Sequence, residues 1–228
     1  MGKISILAKS DEPFRDRIEA GRLLGEALKA ARGPETIMLG IPRGGVIIAK
    51  EAANILKCDL DIVLSRKLGA PNNPELAIGA ISESGKVFLD DAITASVGAD
   101  SEYVKTESAR QLAEIERRLE AFRKILPKAD LKQKTVIIVD DGLATGATMQ
   151  ASLMFARQEK PIQLIAAVPV ASSESIERIA GYADEVVCLR LPDFFGAVGQ
   201  FYLNFGQISD AEVAAILKEA RLRSKIKK

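Results

Sequence analysis

VIIVDDGLATGAT, residues 136–148, carries four apolar residues into two adjacent acids and then into a run of small and hydroxyl residues. A short apolar run bounded by a glycine-rich turn predicts a buried strand feeding a helix, here near 146–158. The same order occurs upstream, where TIMLGI (36–41) meets PRGG, then the helical GVIIAKEAANILK, then the strand DIVLSRK (61–67). Downstream, QLIAAVPV (163–170), a helix near 172–181 and EVVCL (185–189) continue it. Strand, glycine turn, helix and strand form a βαβ unit with a right-handed crossover. The predicted fold is α/β, an open, doubly wound, mostly parallel sheet.

Three segments stand outside that repeat. FRDRIEAGRLLGEALKAAR (14–32) predicts a helix with Ile18, Leu23, Leu24, Ala27 and Leu28 on its apolar side, stopped by Gly33-Pro34. In 68–90, the runs AIGAI and KVFL flank SESG, the pattern of a two-stranded hairpin. Residues 101–126 read as a helix with Leu112, Ile115, Leu119, Phe122 and Leu126 three and four apart. That stripe suits packing within the chain, and it would equally suit the second subunit of a homodimer. With no long-period repeat and no linker composition, residues 1–228 are taken as a single domain.

Composition narrows the chemistry. The chain has 228 residues, 47% of them apolar, and no uninterrupted apolar stretch of membrane-spanning length. MGKISI meets the loose N-myristoylation pattern, a recurrence expected by chance, and MGKISILAKSDEPF has no signal-peptide core, so the cytoplasm is the expected location. A net charge of +1 gives no electrostatic sign of nucleic acid, and the basic RLRSKIKK reads as a solvated helix end. Cys58 and Cys188 lie far apart among apolar neighbours and are expected reduced. There is no histidine, which removes imidazole bases, His-containing triads and His-ligated metals. Any catalysis falls to carboxylates, Lys, Arg, Tyr, hydroxyls or backbone dipoles.

In a parallel α/β sheet, ligands bind beyond the carboxyl ends of the strands. Asp140 and Asp141 end such a strand, and their pairing costs desolvation and repulsion unless a cation or hydrogen-bond donors meet them. The helix start after GLATGAT offers backbone N–H groups and the positive end of the helix dipole to an anion. Thr145 and Thr148 add hydroxyls, so a phosphate belongs around 144–148. Two neighbouring carboxylates suit a vicinal diol or a metal-bound hydroxyl pair, and the implied ligand is a sugar phosphate. A Walker A loop needs Lys where Ala147 stands, and no G-x-G-x-x-G opens a helix. A plain tight turn with an acidic cap explains one Asp and a glycine, but not the second Asp or both threonines.

At this point VIIVDDGLATGAT resembles the phosphoribosyl-diphosphate (PRPP) signature of type I phosphoribosyltransferases over all its positions. LGIPRGGVIIAK resembles their pyrophosphate loop, and SRKLG stands where they carry a basic diphosphate contact. Together, RGGV, RKLGAPNNPELAIGAI and VDDGLATGATM resemble a bacterial and archaeal subgroup of similar length with no settled acceptor. The resemblance implies a lid at about 68–90, an inserted helix at about 101–126 and a hood over the base at about 190–208, around PDFFGAVGQFYLNF. It implies transfer of 5-phosphoribose from PRPP, presented with Mg²⁺, to a nitrogenous acceptor in nucleotide metabolism.

Carried over by residue, Asp140 and Asp141 would hold the ribose hydroxyls and act in catalysis by favouring positive charge on the ring. Gly142, Ala144, Thr145, Gly146, Ala147 and Thr148 would complete the PRPP loop. Arg43, Gly44 and Gly45 would meet the diphosphate, although Arg43 also fits a surface charge. Arg66 and Lys67 should alternate between the site and solvent, with Lys67 preferred for the diphosphate. The resemblance also suggests a cis peptide just before the loop glycines. Phe195 and Tyr202 are the hood residues picked for the base, and no residue is assigned as a direct metal ligand. The 6-oxopurine enzymes carry an acid where Ala144 stands, so their base contact is in doubt, and Glu75 and Glu83 are the nearest candidates for a general acid. A non-catalytic PRPP sensor on the same fold is the alternative. A two-metal hydrolase lacks the further acids it needs.

Overall fold

The computed structural model describes residues 2–33 and 35–226; the side chains of residues 75, 117, 118, 225 and 226 lie outside that description. Pro34 of the expected helix stop and the last two residues of RLRSKIKK therefore also lie outside it. Strand β7 (Thr135–Val139) is buried at every position, as a strand covered by helices on both faces must be. Its neighbours are β2 (Ile37–Gly40) and β8 (Gln163–Val170), both parallel to it. The main sheet has six parallel strands in the order β1-β9-β8-β7-β2-β3, with β3 at Asp59–Ile62 and β9 at Glu185–Leu191. Helices α1 (Arg17–Ala27), α2 (Gly44–Leu56), α5 (Ala147–Gln158) and α6 (Ser173–Ile179) make the connections and cover. From β2 the chain winds outward to β3, and from β7 it winds the other way to β8. The direction of winding reverses between β2 and β7, which is where a doubly wound sheet opens a crevice.

Strand β1 (Lys3–Lys9) was not expected. It pairs in parallel with β9 at the sheet edge, and six of its seven residues are exposed. A strand with both faces open shows no buried periodicity, so its residues read only as a short apolar patch. The Gly2 N–H donates to the Ala180 carbonyl at 2.7 Å.

Helix α1 forms as expected, capped by Asp16, whose Oδ1 accepts from the Glu19 N–H at 2.8 Å. Its buried face is not the expected one. Arg17, Ala20, Gly21, Leu24 and Gly25 are buried, whereas Ile18 and Leu23 are about two-fifths exposed. The small residues admit α2 at close range, and that contact outweighs the larger side chains in choosing the face.

The region after β3 also departs from expectation. DIVLSRK is not one strand: β3 ends at Ile62, and β4 (Ser65–Ala70) starts a second, antiparallel sheet with β5 (Asn73–Ser82) and β6 (Val87–Leu89). The expected hairpin is the β5–β6 pair, with Gly79 opposite Leu89 and Ile81 opposite Val87. Its other edge is filled by β4. Leu68, Ile78 and Ile81 are buried with Ile115 and Phe122 of α4 (Ser101–Arg123) and Val213 and Leu217 of α7 (Asp210–Ile226). A short helix, α3 (Asp91–Ser96), follows β6. The expected stripe on 101–126 thus packs within the chain, and α7 joins that core through Val213 and Leu217, while residues 221–223 of RLRSKIKK are exposed as expected.

Arg123 ties this layer to the main sheet. Its guanidinium donates to Asp61 Oδ1 at 2.7 Å, Glu83 Oε2 at 2.8 Å and the Ile62 carbonyl at 3.0 Å. Cys58 and Cys188 form no disulfide, and burial pushes the Cys188 thiol up to about 12. No helix among the described residues is long and apolar enough to cross a membrane.

Candidate active site

Gly40 at the end of β2 lies in register with Val139 at the end of β7. The loops that leave these two strands therefore run side by side, joined by the Ile41 N–H donating to the Val139 carbonyl at 2.9 Å. One loop opens α2 and the other opens α5. Two helix N-termini, each with unsatisfied N–H groups, thus face the same crevice. The Pro42–Arg43 peptide is cis, one residue upstream of the 43–44 peptide, directly before the loop glycines, where the family resemblance suggested it.

The paired acids stand at the centre of this crevice. Asp140 accepts the Asp141 N–H at 2.8 Å on Oδ1. Burial, and then the adjacent Asp141 carboxylate, pushes the Asp140 carboxyl well above the usual carboxylate range. Asp141 is answered by a cation. Arg17, at the start of α1, donates from Nε to Asp141 Oδ2 at 2.9 Å, and its Nη2 forms an ion pair with the same oxygen at 2.8 Å. Nη1 of Arg17 donates to the Gly206 carbonyl at 2.9 Å, and the guanidinium lies 3.8 Å from the centre of the Phe205 ring. The Arg17 side chain is only 9% exposed.

Arg17 is not among the expected site residues because it lies on the face of α1 that the approach of α2 buries, with Ala20, Gly21, Leu24 and Gly25, and not on the expected apolar side; a charge buried there needs a partner.

Gly44 and Gly45 are close to the acids themselves. A Cβ on Gly44 would lie 1.9 Å from Asp141 Oδ2 and 2.9 Å from Arg17 Nε. One on Gly45 would lie 2.6 Å from the Val139 carbonyl oxygen and 2.8 Å from the Asp140 Cα. These glycines let the first turn of α2 lie against the acid pair, a reason separate from any approach to diphosphate.

The second loop is anchored from behind. Leu143 is buried and its N–H donates to the Val170 carbonyl, while the Ser175 hydroxyl donates to the Leu143 carbonyl at 3.1 Å. Ser172 and Arg178 donate to the carbonyls of Ala144 and Thr145. Gly142 is buried, and Gly146 takes a left-handed φ of 71° that starts α5 at Ala147. With those carbonyls held on the α6 side, Ala144, Thr145 and Thr148 remain exposed. The arrangement suits an anion at the α5 N-terminus.

The expected diphosphate residues are distributed over three elements. Arg43 precedes α2, is partly exposed, and has its Nη1 3.9 Å from Asp210 Oδ1 of α7. Lys67 lies on β4 of the second sheet, not at the end of a main-sheet strand. It lines a cavity of about 200 Å³ together with Ile41, Pro42, Ser65, Glu114 and Thr148. Arg66 lines the same cavity but does not turn to solvent as expected; its Nε donates to Gln111 Oε1 on α4 at 2.5 Å.

The hood selections need correction. Tyr202 is buried between the rings of Phe14 and Phe205, at centroid distances of 5.6 and 5.1 Å. Its hydroxyl donates to the Asp141 carbonyl at 2.7 Å, and burial followed by the Asp141 charge raises its pKa well above the ordinary phenol value. Tyr202 therefore supports the acid pair from behind and has no face open for a base. Phe195 is half-buried with its ring 5.1 Å from that of Phe201. Phe194, unselected, is 76% exposed. Glu83 is an ion-pair partner of Arg123 with a side chain only 6% exposed, which does not suit a general acid. The Glu75 side chain lies outside the described residues.

Comparison with known proteins agrees with this geometry. The model of the phosphoribosyl transferase domain matches residues 16–205. Two Mycobacterium tuberculosis proteins, each named "Putative phosphoribosyl transferase", are 44% identical over 207 residues, 91% of this chain and 47% of their own length. The chain thus spans about half the length of the curated relatives it matches. The crystal structure of TT1426 from Thermus thermophilus superposes with a TM-score of 0.87 at 47% identity, covering 91% of this chain and 98% of that one. The chain, with its paired acids between two helix N-termini, belongs to the phosphoribosyl transferase family.

Proposed function

We propose that this chain transfers 5-phosphoribose from PRPP, taken up as its Mg²⁺ complex, to a nitrogenous acceptor and releases diphosphate. The observation that carries the proposal is the acid pair Asp140–Asp141 at the switch point, flanked by the N-termini of α2 and α5. Thr145, Gly146, Ala147 and Thr148 at the start of α5 would hold the 5-phosphate. Asp140 and Asp141 would accept hydrogen bonds from the 2- and 3-hydroxyls. As the bond from C1 to diphosphate lengthens, positive charge develops on the ring, and the neighbouring carboxylates stabilise it. Arg43, the first turn of α2 and Lys67 would receive the departing diphosphate.

The acceptor is proposed to be other than hypoxanthine or guanine held in the usual way. Ala144 offers no carboxylate to a purine edge, and an unpaired polar edge in a closed site costs about 1–3 kcal/mol. That corresponds to discrimination of roughly tenfold to a hundredfold. The test is to incubate purified protein with PRPP, Mg²⁺ and a panel of bases, and to follow diphosphate release. Acceptor-dependent release supports transfer. PRPP binding without release for any acceptor would favour a sensor, and hypoxanthine or guanine giving the highest kcat/KM would overturn the acceptor assignment.

A further inference from the structure

We infer that Arg17 is a positioning residue for ribose recognition, holding Asp141 so that one carboxylate oxygen is committed to the protein and the other is presented to the ribose diol. The inference rests on the PRPP reading above and extends it to a residue outside both loops. The Nε hydrogen bond and the Nη2 ion-pair contact of Arg17 both end on the same oxygen, Oδ2, at 2.9 and 2.8 Å. Arg17 thereby fixes the Asp141 side chain without using Oδ1.

Arg17 is itself held on three sides. Asp141 meets Nε and Nη2, the Gly206 carbonyl meets Nη1, and the Phe205 ring covers the guanidinium face. Gly44 closes the remaining approach, since any side chain there would enter the Arg17–Asp141 contact. A side chain only 9% exposed with three such constraints has little rotamer freedom. The constraint reaches Asp141 a second time through the backbone, where the Tyr202 hydroxyl donates to its carbonyl. Tyr202, Phe205 and Gly206 all belong to the hood, so α1 and the hood together set the orientation of one carboxylate.

Charge gives the same assignment. Two adjacent carboxylates oppose one another's ionisation, and a guanidinium remains protonated at any working pH. Arg17 thus sets a fixed cation against Asp141, 2.8 Å from its Oδ2. A lysine would supply a charge but not the planar fork that reaches Asp141 and Gly206 together.

The test separates diol recognition from general damage. Wild type, Arg17→Met and Arg17→Lys are titrated calorimetrically with PRPP, with ribose 5-phosphate, with 2,3-dideoxyribose 5-phosphate and with inorganic diphosphate, all with Mg²⁺, and each Tm is recorded. Wild type should prefer ribose 5-phosphate over its dideoxy form by on the order of tenfold to a hundredfold, the range that charge-assisted hydrogen bonds supply. In Arg17→Met that preference should fall below about threefold, with Arg17→Lys between the two. Binding of inorganic diphosphate should be unchanged in every folded variant. A folded Arg17→Met, or Arg17→Lys if the former does not fold, that keeps the wild-type preference would overturn the inference alone. Equal weakening of all four ligands would reduce Arg17 to a structural role. Wild type that binds neither PRPP nor ribose 5-phosphate would remove the PRPP reading and this inference together.

Discussion

Asp140 and Asp141 share a sequence context but not an environment. Arg17 is bonded directly to Asp141, whereas Asp140 is left with burial and the neighbouring carboxylate acting against its charge. A carboxyl whose pKa is raised on folding destabilises the native state progressively above its unfolded-state pKa, fully so above the folded value, and has no effect once both states are protonated. Stability should therefore fall as pH rises from the ordinary carboxylate value, near 3.9, through the folded Asp140 value. Asp140→Asn keeps an acceptor for the Asp141 N–H while removing the charge. It should raise Tm at pH 7–8 by about 2–4 °C per kcal/mol relieved, and the gain should vanish near pH 4. Thermal melts of both proteins across pH 4–8 check this, with Asp141, Arg17 and Tyr202 as the facing groups; a constant difference across the series would remove the linkage. The two acids were legible in the sequence, because a local run of residue types carries them. Their unequal states were not, because Arg17 is 124 residues away from Asp141.

Within the second sheet, strands and tip differ. Leu68, Ile78, Ala80 and Ile81 are buried, while Asn72, Asn73 and Pro74 at the β4–β5 tip are exposed. Ligand-dependent ordering is drawn from segments with few buried contacts. Adding PRPP and Mg²⁺ should slow hydrogen exchange at 71–76 and leave 77–82 as it was. Slowing across all of 68–90 would instead show the whole sheet moving. The ion-pair network below it is the element's anchor: Arg123 is shared by Asp61 and Glu83, whose side chains are 3% and 6% exposed. Arg123→Met leaves two buried carboxylates without their cation and should cost about 3–5 kcal/mol, read from urea unfolding midpoints. A loss below about 1 kcal/mol would mean that water takes the place of Arg123. The β5–β6 hairpin was readable from its turn and flanking apolar runs. The break between β3 and β4 was not, since DIVLSRK holds no glycine or proline to mark it.

Across the whole molecule, the main sheet and the second sheet have separate cores, and α7 belongs to the second. Val213 and Leu217 are fully buried there with Leu68, Ile78 and Phe122. Leu217→Ala should destabilise by about 2–5 kcal/mol through the cavity it leaves, measured by denaturant unfolding. A cost within about 0.5 kcal/mol would show that α7 adds nothing to the second core. The sequence by itself determined the doubly wound sheet, the two loops and their position at strand ends. Those features rest on apolar runs and glycine turns a few residues long, and short-range order suffices to place them. Tertiary structure alone decided which face of α1 is buried, where the chain leaves β3 for a second sheet, and that Tyr202 supports Asp141. Each of those outcomes depends on a partner distant in the chain: the close approach of α2, the joint core of α4 and α7, and the meeting of Arg17 and Asp141 with Tyr202, Phe205 and Gly206. A side chain's burial is set by what packs on it, and periodicity within one segment carries no record of that partner.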